Sequence, residues 1–168
     1  YTQEVQPVVA DLDDGYRDAY QVSNAIKSLV IANGDPALIR KYVNEYNDDA
    51  PRARERMMAS QKLIDSGFID SKYQIHVDEM GKTFDIWLNM TKPFLANPEQ
   101  ATLLFARHGT ELEHAFDTMR TALKRVQTDL SETVDQFKQA QETAIQNTKL
   151  MIEAAGALAI LAAIFLTW

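Results

Sequence analysis

The sequence contains no cysteine and few glycines or prolines. Without cysteine the chain cannot form a disulfide framework, a thiolate zinc or iron–sulfur site, or a cysteine nucleophile. Stretches that alternate β-branched or aromatic residues with polar ones are scarce as well, which disfavours a β-sheet. With 168 residues, of which 46% are hydrophobic, the chain is long enough for one domain with a core of its own.

Dense basic runs and phosphate-binding glycine motifs are also missing. Seventeen Lys and Arg residues stand against 24 Asp and Glu residues, which gives a formal charge of -7. Because nucleic-acid binding depends on cationic contacts to phosphates, we do not expect nucleic acid as a partner. The six glycines form neither a P-loop nor a Gly-x-Gly-x-x-Gly segment, so the sequence offers no site for nucleotide chemistry.

The three histidines are not spaced as a pair of metal ligands on one helix. His108 and His114 are six residues apart, and the motif Glu111-x-x-His114 occurs once, whereas a di-iron site in a helical bundle needs two copies. No arrangement of a nucleophile, a base and a residue to orient the base is visible. We therefore predict that the chain is not an enzyme and that it holds neither a metal nor another cofactor.

The C-terminal stretch Leu150–Trp168 is apolar except for one charged residue, Glu153. As a helix it would cover roughly 28 Å, close to the ~30 Å hydrocarbon core of a bilayer. Glu153 lies in its first turn, where it can reach the headgroup level, and Trp168 at the other end suits an interfacial anchor. This stretch is predicted to span a membrane; the alternative is a buried core helix.

Four segments upstream repeat apolar residues in alternating steps of four and three. This 3.5-residue period predicts four helices with left-handed supercoiling. Short connections make successive helices antiparallel, so we predict an all-α, up-down-up-down antiparallel four-helix bundle. The fourth helix has no Gly or Pro between Glu111 and Gly156 and is predicted to continue into the transmembrane segment, ~85 Å in all. The periodic segments are Val5–Val30, Ile39–Ile64, Tyr73–Phe94 and Leu112–Met151.

Turn and capping residues mark the first connections between these helices. Asn33–Gly34 supplies a left-handed stop, and Asp35–Pro36 supplies an N-cap and a first-turn proline for the second helix. Gly67 is predicted to end the second helix, and Asp70 to cap the third. Pro51 lies inside the second helix, where it is predicted either to kink the helix or to split it.

The third connection is predicted to contain a short helix of its own. Pro93 should bend or end the third helix, and Asn97–Glu99 restarts a helical piece that stops at His108–Gly109. Thr110-x-x-Glu113 has the pattern of a capping box and is predicted to open the fourth helix.

The predicted ligand-binding residues are polar or aromatic and lie beside core positions in the half of the bundle away from the membrane. Four of them recur at three- and four-residue steps on the first helix, so that several donors and an aromatic face could meet a small anion or an amino acid. The alternative for this stripe is a dimer interface or a solvated flank. The candidates are Arg17, Tyr20, Gln21 and Asn24 on the first helix, Tyr42 on the second, and Thr118 and Arg120 on the fourth.

Residues 130–149, just before the predicted span, carry more acidic than basic side chains. The positive-inside rule therefore gives no reason to keep this side of the membrane in the cytoplasm, and the bundle is predicted to be translocated.

The predicted architecture is similar to the four-helix-bundle sensor domain of methyl-accepting chemotaxis proteins. The shared features are four antiparallel helices, a fourth helix that continues into a span, and a chain that begins at Tyr1, where an earlier span would end. The stretch Arg-Asp-Ala-Tyr-Gln at 17–21 resembles one that recurs in some bacterial receptors of this type. The resemblance implies a receptor in the bacterial inner membrane, with residues 1–149 as a periplasmic sensor domain and residues 150–168 as the second transmembrane helix.

The resemblance also implies a mechanism. The domain would form a homodimer through its first helix, bind a small organic acid, amino acid or amine, and shift its fourth helix relative to the first. The arginine cluster of aspartate-sensing members is not matched, because the first helix has only Arg17 and Lys27 as cations. Alternatives are the sensor module of a histidine kinase or a diguanylate cyclase, a tail-anchored helical tether without a small ligand, and a pore-forming bundle.

Overall fold

The computed structural model describes residues 2–166, with the side chains of residues 2, 3, 161, 162 and 164–166 left out. All regular structure in this part of the chain is helical, which confirms the predicted all-α class. Trp168, the predicted interfacial anchor, lies outside the described residues. The helices are α1 (Thr2–Ala32), α2 (Pro36–Met57), α3 (Ser60–Asp65), α4 (Gln74–Ala96) and α5 (Ala101–Leu166), with 3₁₀ turns at Ser71–Tyr73 and Pro98–Gln100.

The chain forms two units, Tyr1–Leu130 and Ser131–Trp168. The first unit contains α1 to α4 and the beginning of α5, and the second contains the rest of α5. Within the second unit the apolar side chains Ile145, Met151 and Ile152 are exposed. Among the residues that the structure describes, no helix has both the length and the hydropathy of a membrane span.

In the first unit, α5 lies antiparallel to both α1 and α4. Lys27 near the end of α1 forms an ion pair with Glu113 at 3.1 Å, whereas the earlier residue Asp13 accepts a hydrogen bond from Gln127 at 2.9 Å. On α4, Glu79 pairs with Arg125 at 2.9 Å, and Phe94 and Phe105 lie with ring centroids 6.4 Å apart. In both cases higher residue numbers on one helix meet lower numbers on the other.

Helices α2 and α4 are also antiparallel neighbours. Tyr46 and Thr91 share a buried hydrogen bond of 2.7 Å, and Arg54 donates to Asp85 at 2.8 Å. Burial raises the pKa of the Tyr46 hydroxyl above its ordinary value, and the hydrogen bond with Thr91 opposes that shift. Together with the short turn between α1 and α2, these contacts arrange α1, α2, α4 and α5 as an up-down-up-down bundle in the first unit.

The core follows the predicted 3.5-residue repeats closely on α4 and on the first part of α5. Thr91 is the one polar residue among the predicted α4 positions that are buried, and its hydroxyl bonds to Tyr46. On α1 the predicted repeat is only half right: Val5, Leu12, Ala19 and Ile26 are buried, but Val9 is 39% exposed. Other buried positions of α1 lie one residue before the predicted ones, at Val8, Val22 and Leu29. The buried repeat residues of α4 are Val77, Met80, Phe84, Trp87, Thr91 and Phe94, and those of α5 include Leu112, Met119, Leu123, Val126 and Leu130.

The predicted turn and capping residues are confirmed in the first connection and in part in the second. Asn33 and Gly34 both adopt left-handed backbone, with φ of 45° and 86°. The carboxylate of Asp35 accepts hydrogen bonds from the backbone N–H groups at 37 and 38 at 2.8 and 3.2 Å, which caps α2. Gly67 is left-handed as predicted, with φ of 71°, but it follows α3 and does not end α2. Asp70 accepts from the backbone of residue 72 at 2.9 Å and caps the 3₁₀ turn Ser71–Tyr73 instead of α4.

Neither Pro51 nor Pro93 ends its helix. Helix α2 runs through Pro51 to Met57, and the interruption predicted for this helix falls instead at residues 58–59, before α3. Buried Ala50 and Ala53 flank Pro51, so packing on both sides holds the helix across the missing N–H. Helix α4 likewise passes Pro93 and ends three residues later, at Ala96.

In the third connection the predicted helical restart at 97–99 is confirmed, but the predicted stop at His108–Gly109 and the predicted capping box are wrong. Helix α5 begins at Ala101 and continues through His108–Gly109, so Thr110 lies inside a helix and caps none. A glycine inside a helix costs only about 1 kcal/mol relative to alanine. Ala101 and Leu112, buried on either side of Gly109, fix the backbone before and after it and outweigh that cost.

Candidate ligand-binding site

A groove between α1 and α5 contains two of the predicted ligand-binding residues, Tyr20 and Arg120. Its volume is about 230 Å³, and it lies within the first unit. We call it the α1–α5 groove. Its lining residues are Tyr20, Ser23, Lys27, Leu112, Glu113, Phe116, Asp117 and Arg120.

Phe116 forms an aromatic floor that is tied to the core. Its ring centroid lies 5.1 Å from that of Trp87, in an edge-on arrangement, and 6.4 Å from those of Tyr16 and Tyr20. Trp87 is 1% exposed, so the Phe116 ring packs against a core side chain that cannot move independently. Tyr20, which is 52% exposed, presents its hydroxyl at the surface.

Two cations and two carboxylates line the same groove as ion pairs. Lys27 Nζ is 3.1 Å from Glu113 Oε1, and Arg120 Nη2 is 3.0 Å from Asp117 Oδ1. All four side chains are between 44% and 61% exposed. Exposed pairs of this kind contribute at most about 1 kcal/mol, so a ligand carboxylate can replace Glu113 or Asp117 at small cost.

The other predicted residues of α1 do not line this groove. Arg17 is exposed and pairs with Asp14 on its own helix at 3.0 Å. Gln21 and Asn24 are exposed as well. Of the four residues predicted on the first helix, Tyr20 is therefore the one that lines the α1–α5 groove.

The remaining two predicted residues lie elsewhere. Tyr42 is half-buried on α2, with the Lys41 ammonium 5.4 Å from its ring centroid. Thr118 lies on another flank of α5, where its hydroxyl donates to the backbone carbonyl of His114 at 2.9 Å. Neither residue lines the α1–α5 groove with Tyr20 and Arg120.

The five-residue stretch at 17–21 divides between surface and core. Asp18 is 3% exposed and accepts a hydrogen bond of 2.6 Å from Arg56 Nη1 on α2, and Ala19 is fully buried. Arg56 also lies 4.0 Å from Asp14. Asp18 therefore joins α1 to α2 and Ala19 belongs to the core, so a structural role accounts for both residues.

Removing Arg56 is expected to destabilise the bundle because the buried Asp18 carboxylate would lose its partner. We expect Arg56→Met to lower the free energy of unfolding by about 2 kcal/mol, less than for a fully buried pair since the guanidinium is partly exposed. In the double variant with Asp18→Asn, the loss should be smaller than the sum of the single losses. Urea denaturation of the unmodified chain, the two single variants and the double variant measures these losses. Strict additivity would contradict the interaction between Arg56 and Asp18.

Sequence reasoning missed Lys27 and Phe116 as groove residues. Phe116 fits the core repeat, which predicts burial but not the contact with Tyr20. Lys27 is a single cation on the first helix, and its sequence neighbours do not indicate a groove. The spacing within each helix does indicate shared faces. Lys27 follows Tyr20 by seven residues and Arg120 follows Phe116 by four, so the two residues of each pair lie on one face of their helix. Which faces meet across two helices is not visible in either segment alone.

No metal centre accompanies the groove in the part of the chain that the structure describes, where no three His, Asp or Glu side chains could share an ion. Comparison of the chain with family models, with curated proteins and with solved structures gives no match. A proposal about function therefore rests on the bundle, on the α1–α5 groove and on the resemblance of the sequence.

Proposed function

We propose that this chain is the ligand-binding sensor domain of a bacterial transmembrane chemoreceptor and that it binds a small organic acid or amino acid in the α1–α5 groove. The observation that supports this most is the placement of Lys27 and Arg120 over the Phe116 floor, between α1 and the helix that leads to the apolar C-terminal stretch.

The charges of the groove favour a ligand with at least one carboxylate. Lys27 and Arg120 are the strong donors, and both hold exposed acids that a ligand carboxylate can replace. An amino acid adds an ammonium group, for which the released Glu113 or Asp117 is a partner. A volume of about 230 Å³ suits a molecule of a few carbon atoms rather than a cofactor.

The position of the groove between two helices supports a signalling role. A ligand that contacts α1 and α5 together has a binding free energy that depends on how the helices are placed, so it favours one of two placements. Couplings of this kind are typically about 1–3 kcal/mol. We propose that the bound state shifts α5, which continues without interruption from Ala101 to Leu166.

The membrane arrangement is part of the proposal. We propose that 150–168 forms the second transmembrane helix, that residues 1–149 lie in the periplasm, and that two copies associate through α1. The exposed apolar side chains Leu150, Ile152, Leu158 and Ile160 support a lipid environment, since such a surface is unfavourable in water. The same module fits a histidine kinase or a diguanylate cyclase as the output, and the groove does not distinguish among them.

Calorimetry with a panel of amino acids and small organic acids tests the ligand. We expect at least one acid to bind the 168-residue chain, and Arg120→Gln to weaken it about tenfold or more, because a charge-assisted hydrogen bond is lost. Arg125→Gln is the matched control: it lies on the same helix, pairs with Glu79 on α4, and should leave the affinity unchanged.

Two results would contradict the proposal. One is the absence of binding by every acid in the panel. The other is an acid whose affinity is the same for the unmodified chain, for Arg120→Gln and for Lys27→Met, since that acid would bind outside the α1–α5 groove.

A further inference from the structure

A second and larger groove lies between α4 and α5, within the first unit. Its volume is about 490 Å³, in the range of small-molecule sites. Ile86 and Met90 of α4 and Ala115 of α5 form its apolar floor. Ile86 is 48% exposed, so a ligand with an apolar body would cover hydrophobic surface that water now contacts. We call this the α4–α5 groove.

The charged lining residue of this groove is Glu111. Across the described residues no ion pair or hydrogen bond involves its carboxylate, even though Arg107 lies one turn earlier on α5. Acidic side chains on neighbouring surfaces are paired, as Glu79 is with Arg125 at 2.9 Å and Asp85 with Arg54 at 2.8 Å. The groove therefore presents a carboxylate that has no ion-pair partner among the described residues.

Two of the three threonine hydroxyls that line the groove, those of Thr83 and Thr118, also favour a donor as ligand. Thr83 Oγ1 donates to backbone carbonyls at 2.8 and 3.0 Å, and Thr118 Oγ1 donates to the carbonyl of residue 114 at 2.9 Å. Since each hydroxyl has one proton and that proton is already used, the remaining lone pairs can only accept. The His114 ring at the rim can donate or accept.

We infer that the α4–α5 groove binds a small organic cation with an apolar body, such as an aryl-alkyl amine, with Glu111 as its counter-ion. The ammonium would donate to Glu111 and to the threonine oxygens, while the apolar part would cover Ile86 and Met90. An anion of the same shape would meet the Glu111 carboxylate and the oxygen lone pairs of Thr83 and Thr118, and should bind more weakly than the amine.

This inference goes beyond the proposed function, because it concerns another flank of α5 and a ligand of the opposite charge. The α1–α5 groove offers Lys27 and Arg120, whereas the α4–α5 groove offers acceptors and an apolar floor. The two sites can therefore be tested independently, and failure of one leaves the other standing.

Three probes of matched size test the inference: 2-phenylethylamine, 3-phenylpropionate and 2-phenylethanol, titrated into the 168-residue chain at pH 8. By NMR chemical-shift titration we expect the amine to bind about fivefold to tenfold more tightly than the acid or the alcohol. The largest shifts should fall on the backbone amides of Ile86, Met90 and Ala115.

Two variants identify the groups responsible. Glu111→Gln keeps the shape of the side chain and should remove most of the preference for the amine, whereas Glu132→Gln, an exposed acid elsewhere on α5, should not. Ala115→Leu fills the floor and should weaken the amine at least about threefold. A circular dichroism spectrum confirms that each variant is folded.

Three results would overturn the inference: equal affinities for the amine and the two other probes, an amine affinity that Glu111→Gln and Glu132→Gln leave equally unchanged, or shifts centred on Tyr20 and Phe116. The last would place the amine in the α1–α5 groove.

Discussion

Replacement of Trp87 by alanine is expected to lower the free energy of unfolding by about 3–5 kcal/mol, because it leaves a cavity at the centre of the bundle. Trp87 is 1% exposed and packs edge-on against Phe84 and Phe116, with ring centroids 5.6 and 5.1 Å away. Since Phe116 is also the floor of the α1–α5 groove, this single side chain joins the core to the proposed ligand site.

Ile86→Ala is the control for this substitution. Ile86 precedes Trp87 on α4 but is 48% exposed, so its truncation should cost less than about 1 kcal/mol. Guanidinium denaturation followed by circular dichroism measures both variants without relying on tryptophan fluorescence. Similar losses for the two substitutions would show that Trp87 does not occupy the packed position described above.

The second large effect is expected at Gly15, where α1 and α2 approach closely. A Cβ atom at this position would lie 3.0 Å from Arg56 Cβ and 3.0 Å from the backbone nitrogen of Met57. A backbone atom cannot move aside as a flexible side chain can, so a larger residue must push the helices apart. We expect Gly15→Leu to lower the free energy of unfolding by about 3 kcal/mol.

The same replacement at Gly156 provides the comparison, because a Cβ there meets no atom within 4 Å. Both glycines lie in helices, and leucine is the better helix former at each, so propensity acts in the same direction in both variants. Thermal unfolding should show a large loss for Gly15→Leu and none for Gly156→Leu. If Gly15→Leu were as stable as the unmodified chain, the close approach of α1 to α2 would be wrong.

The core of α4 shows that a local sequence pattern can predict which side chains are buried. The 3.5-residue repeat from Val77 to Phe94 predicted which side chains are buried, because a helix that packs on one side must place its apolar residues on that side. Asp35 and Gly34 were predicted for a similar reason, since capping and left-handed backbone depend on residues that are neighbours in the chain.

Local sequence patterns were enough to predict the helical class, the core face of α4 and the turn between α1 and α2, since these follow from contacts between residues close together along the chain. The continuation of α5 through Gly109 could not be predicted in this way, because the packing that stabilises it comes from other helices. Tertiary contacts also place Tyr20 and Arg120 in one groove and Glu111 in another, since the composition of a groove depends on which helix faces meet. That meeting is set by the sum of many packing contacts, and no single segment of the sequence encodes it.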